Sequence, residues 1–124
     1  MRQTRIYFTL AAILAGASAT RAADTCPGFG EERLAAIAAA PGCKAASRIN
    51  DACSMGSGGD TVPTMAVIEK CEKDFIGKAP KARIAAYQRE RAACRREYSG
   101  KSGTMYVSFT VLCEARVAVK YSGK

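Results

Sequence analysis

TMYVSFTVLCEARVAVKY, residues 104–121, is the stretch on which the fold class turns. Thr104 to Val111 is dense in β-branched and aromatic residues, which favour strand. Its alternation places Met105, Val107, Phe109 and Val111 on one side and Tyr106, Ser108 and Thr110 on the other. The same segment also carries Tyr106, Phe109, Cys113, Val117 and Tyr121 at helical spacing. No turn residue between Phe109 and Tyr121 would make a tight hairpin. Nothing earlier in the chain reads as a strand that could pair with it. A C-terminal helix is therefore expected, and with it an all-α fold of four or five short helices. The competing reading is α+β, with 104–121 forming a short two-stranded sheet packed on the helices.

Upstream lies APKARIAAYQRERAACRREY, residues 79–98, the clearest amphipathic helix. Ile84, Tyr87, Arg91, Cys94 and Tyr98 recur at spacings of three and four and share one face. Arg91 is the one charge on that face, so it either snorkels outward or pairs with a glutamate from the preceding helix. With Cys94 locking it to another element, this helix is expected to be the central strut. Before it, Pro63 suits the first turn of a helix reaching about Ile76, with Met65, Ile68, Cys71, Glu72 and Phe75 at three-and-four spacing and Met65 and Phe75 read as core. Glu69 and Lys73 make an i,i+4 pair on that helix. SMGSGGDTV, residues 54–62, reads as a solvated hinge. It is no phosphate loop, because Asp60 follows the glycines where a lysine is required. Two shorter helices precede it. EERLAAIAAA, 31–40, has Leu34, Ile37 and Ala38 as its apolar face and stops at Pro41-Gly42. KAASRINDAC, 44–53, groups Ala45, Ile49, Ala52 and Cys53.

The first residues have the layout of a secretory signal. A basic start, Met1 to Arg5, leads into an apolar run from Ile6 to Ala17, then small residues at Ala17-Ser18-Ala19 and Thr20-Arg21-Ala22. The run is shorter than the ~20 residues of a spanning helix. Residues 1–22 are read as the signal peptide and 23–124 as one small domain, in the bacterial periplasm or secreted. The six cysteines, Cys26, Cys43, Cys53, Cys71, Cys94 and Cys113, all follow the signal. An even count in a short exported chain reads as three disulfides. Six cysteines allow fifteen connectivities. Cys26 with Cys53 is the pair that a hairpin of the first two helices favours. Cys94 with Cys113 requires the last helix to be displaced from simple antiparallel register. There is no CxxC pair and no histidine, so neither zinc-knuckle nor thiol-oxidoreductase spacing occurs. No cofactor and no metal is expected.

Charge is unevenly distributed. The chain carries +8, and loss of Arg2, Arg5 and Arg21 with the signal leaves +5. Residues 24–77 sum to −3 and residues 78–124 to +8. The basic residues concentrate on the 79–98 helix and the turn after it, with Arg83, Arg89, Arg91, Arg95, Arg96 and Lys101 as candidate binding residues. The absence of histidine excludes Ser-His-Asp and Cys-His catalysis. A stapled domain without catalytic residues points to a non-enzymatic binding protein of inhibitor, immunity or accessory type, whose partner is an acidic or envelope protein. One alternative is association with anionic lipid or an envelope polymer without a discrete partner. Another is a small hydrolase using paired carboxylates, with Glu69–Glu72 and Glu90–Glu97 as the local pairs. Nucleic acid is a poor fit to an exported chain.

Overall fold

A computed structural model describes residues 25–123; residues 1–22, read above as a signal peptide, lie outside them. The described residues form an all-α bundle of five helices and contain no strand. The helices are α1 (Glu31–Ala39), α2 (Cys43–Cys53), α3 (Thr61–Glu72), α4 (Lys81–Glu97) and α5 (Thr104–Ser122), with a single 3-10 turn at Gly58–Asp60 before α3.

The deciding stretch is one continuous helix, and its composition has a packing explanation. α5 touches α2, α3, α4 and the 3-10 turn, so it is covered on several sides. Such a helix is apolar nearly all round, and β-branched residues accumulate on it without specifying a strand. Its small residues Ser108, Ala115 and Ala118 are buried against the bundle. Its aromatic residues meet those of α4 and its C-cap, Tyr106 and Phe109 against Tyr98 and Tyr121 against Tyr87. The central strut is thus α5, and the expectation that 79–98 would fill that place is corrected. Among the described helices, only α5 comes within 8 Å of α4, Cα to Cα. α4 is a flank.

α3 and α5 run parallel, with Gly58 beside Thr104 at one end and Phe75 against Tyr121 at the other. α4 runs antiparallel to α5, from Arg83 at Tyr121 to Tyr98 at Tyr106. The core is built of small and sulfur-bearing residues around Ile37, Val67, Ile68, Phe75 and Tyr87. Alanines let the helices approach closely, and three cystines supply what so thin a core lacks. Cys26–Cys53 pairs as the hairpin of α1 and α2 favoured, and Cys43–Cys71 joins the start of α2 to the end of α3. Cys94–Cys113 also forms. Cys94 stands three residues before the end of α4 and Cys113 nine residues into α5. That offset is the displaced register the pairing required.

The 54–62 segment is not a solvated hinge. Asp60 is buried, and Gly58 is pressed so close to Thr104 that a Cβ there would stand 2.9 Å from its Cβ. Glycine here provides close approach to α5. Other expectations also shift. Pro63 does lie in the first turn of α3 and is buried. Regular helix stops at Glu72, and a run of turns then carries the buried Phe75. Met65 is 48% exposed, and Glu69 makes no ion pair with Lys73. On α1 the buried row is Arg33, Ile37 and Ala40, while Ala38 is exposed.

Candidate functional site

Two arginine-centred networks and one basic surface make up the polar architecture. The first centres on Arg33, which is 2% exposed. Its Nη1 donates to Asp60 Oδ1 at 2.7 Å, its Nε and Nη2 donate to Asn50 Oδ1, and its Nη2 also donates to the Asn50 carbonyl and Ser54 Oγ. Asn50 Nδ2 donates on to Thr64 Oγ1 at 3.0 Å. Asp60 Oδ2 accepts the backbone N–H groups of Met55 and Ser57 at 3.0 Å each. Burial by itself would push the Asp60 carboxyl up, but the Arg33 hydrogen bond and those two backbone donors outweigh it and hold it below its ordinary value. This hub ties α1, α2, the glycine-rich loop and α3 together.

The second network centres on Arg91 and is half-open, with 20% of that side chain exposed. Arg91 Nη1 donates to Glu72 Oε1 at 2.8 Å, and Nη2 donates to Glu114 Oε2 at 2.6 Å. Arg95 Nη1 donates to Glu114 Oε1 at 2.5 Å. Tyr87 Oη donates to Glu72 Oε1 at 2.6 Å. Burial raises the Tyr87 phenol, and the Glu72 carboxylate raises it further. Burial would lower the Arg91 guanidinium, but its hydrogen bond to Glu114 and the charges of Tyr87, Glu114 and Glu72 together outweigh that and raise it. Glu72 is the α3 glutamate that pairs with Arg91, as the helical face suggested. Both carboxylates are bound by arginine, the arrangement of structural ion pairs.

The six candidate basic residues therefore separate. Arg91 and Arg95 are bound by Glu72 and Glu114, Arg91 largely covered and Arg95 half exposed. Arg83 donates to the Tyr121 carbonyl in the last turn of α5 and lies over the Tyr121 ring, a favourable seat for a cation at a helix C-terminus. Lys101 is exposed and lies 5.7 Å from the Tyr98 ring centroid and 5.4 Å from that of Tyr106. Arg89 and Arg96 are exposed and join no carboxylate among the described residues. Seven residues apart on α4, they stand on one outward row. Of the local carboxylate pairs, Glu90 is engaged by Lys120 and Tyr121.

Arg33, Asn50, Asp60 and Glu114 were not singled out by sequence reasoning. A signal for Arg33 exists: it stands four residues before Ile37 and seven before Ala40, on the apolar row of α1. Among the described residues, no group of three or more metal-ligating side chains is assembled, and no helix is long and apolar enough to cross a membrane. A scan against protein-family models and searches of curated proteins and of solved structures each find no match.

Proposed function

We propose that the protein is an exported, non-enzymatic binding module that meets an acidic envelope protein through the outward row of α4. The observation that carries this reading is the division of the arginines. Arg91 and Arg95 are held by Glu72 and Glu114, whereas Arg89 and Arg96 are exposed without a carboxylate partner among the described residues. Exposed arginines on a stapled helix offer preformed bidentate donors to carboxylates at little conformational cost. Export is supported by the basic start and apolar run of residues 1–22, and by the pairing of all six cysteines. Lys101, exposed in the turn after α4, adds a further cation beside the Tyr98 and Tyr106 rings.

The test is recovery of a stoichiometric partner from an envelope extract under non-reducing conditions. Arg89→Glu with Arg96→Glu is expected to abolish recovery and leave the fold intact. Recovery that survives both changes would move the contact elsewhere. Binding that weakens steeply with salt and ranks acidic polymers by charge density alone would favour the polyanion alternative.

A further inference from the structure

We propose that the groove between α3 and α5 docks a partner segment presenting two apolar side chains followed by a lysine or arginine. The site is distinct from the outward row of α4. Its floor is Ile68 and Val111, and Met65 forms its rim; the depression holds about 210 Å³. One turn upstream on each helix stand Val62, 61% exposed, and Val107, 53% exposed. Large aliphatic side chains left this open on two neighbouring parallel helices are the usual mark of an interaction surface. The volume lies below that of typical small-molecule pockets, ~300–1,000 Å³, and suits side chains delivered by a peptide.

The charge at the far end of the groove selects the occupant. Glu69 lines it, is exposed, and joins no lysine or arginine among the described residues. Glu72, three residues on, also lines it and takes Tyr87 and Arg91 on Oε1. Arg91 and Glu114 also line the groove and are paired with each other, so three carboxylates stand there against one guanidinium. On a chain of net charge +8, this is a carboxylate-bearing apolar groove, complementary to a basic, apolar segment. A second copy of the chain fits poorly. Its exposed Arg89 and Arg96 are flanked by Ala85, Ala92 and Ala93, which are too small to fill the groove.

The experiment selects random dodecapeptides displayed on phage against the oxidised protein. The expected consensus is two apolar residues at helical or alternating spacing followed by Lys or Arg. Its synthetic peptide should shift the backbone amide resonances of Met65, Glu69 and Val111. Met65→Glu is expected to abolish binding and Glu69→Lys to weaken it about tenfold, both with unchanged helical circular dichroism. Arg89→Glu with Arg96→Glu should leave it unchanged, which separates this site from the α4 surface. No enrichment, an acidic consensus, or binding that survives Met65→Glu would overturn the proposal. So would concentration-dependent self-association that Met65→Glu abolishes, since the groove would then belong to a second copy.

Discussion

Arg33 and Arg91 do the same chemistry in opposite settings. Each is a guanidinium bridging three segments of chain, and each is held by carboxylate. Arg33 and Asp60 each have 3% of the side chain exposed, with backbone donors completing the carboxylate's shell. Arg91 and Glu72 are 20% and 26% exposed, and the second carboxylate, Glu114, is shared with Arg95. The first hub lies inside α1–α3, where two disulfides already fix the helices. The second spans a gap, because α4 touches α5 alone among the helices and reaches α3 only through side chains. A buried hub is costly to break, since the remaining charge has no solvent to turn to. A half-open hub can be rehydrated, so its loss frees one helix and spares the fold.

The largest effect is expected from Asp60→Ala. It strands the Arg33 guanidinium and two backbone N–H groups, and should cost about 3–5 kcal/mol in chemical denaturation. A loss as small as that of an exposed pair would erase the distinction between the hubs. Removing the Cys94–Cys113 staple by paired serine substitution should cost about 2–4 kcal/mol. That loss should concentrate in the α4–α5 hairpin, as limited proteolysis near Lys101 would report. Glu72→Gln should cost about 1–2 kcal/mol, the scale of a half-exposed charged hydrogen bond. Arg89→Glu with Arg96→Glu should change stability by no more than about 0.5 kcal/mol, as befits surface residues that form no ion pair among those described.

Acid sharpens the same comparison. The Asp60 carboxyl is held below its unfolded value of 3.8. Its contribution is therefore complete above that pH and is lost as pH falls through the lower, folded value. A plot of unfolding free energy against pH should bend downward below about 3.8, and the bend should vanish in Asp60→Ala.

Much of this architecture was legible. The helical face of 79–98 located Tyr87, Arg91 and Cys94 correctly, because burial on one side imposes a period that survives into sequence. Cys26 with Cys53 followed from hairpin geometry. The helical reading of 104–121 held against its β-propensity because no partner strand existed. What the sequence concealed was tertiary. Gly56, Gly58 and Asp60 look like a flexible loop until α5 is laid across them and Arg33 is aimed at them. Arg33 itself reads as a solvated charge unless its place on the apolar row is weighed against its type. The candidate binding arginines could be grouped on one helix but not divided, since Glu114, which draws in two of them, lies 19 and 23 residues away.

The most direct measurement is native-state hydrogen exchange on the wild-type chain and Glu72→Gln, resolved residue by residue. Loss of the Glu72 contacts should raise exchange along α4, from Ile84 to Arg95, while amides of α1, α2 and α3 keep their protection. Protection lost uniformly across all five helices would contradict the account, because the Arg91 network would then belong to the global fold and α4 would not be a separately held flank.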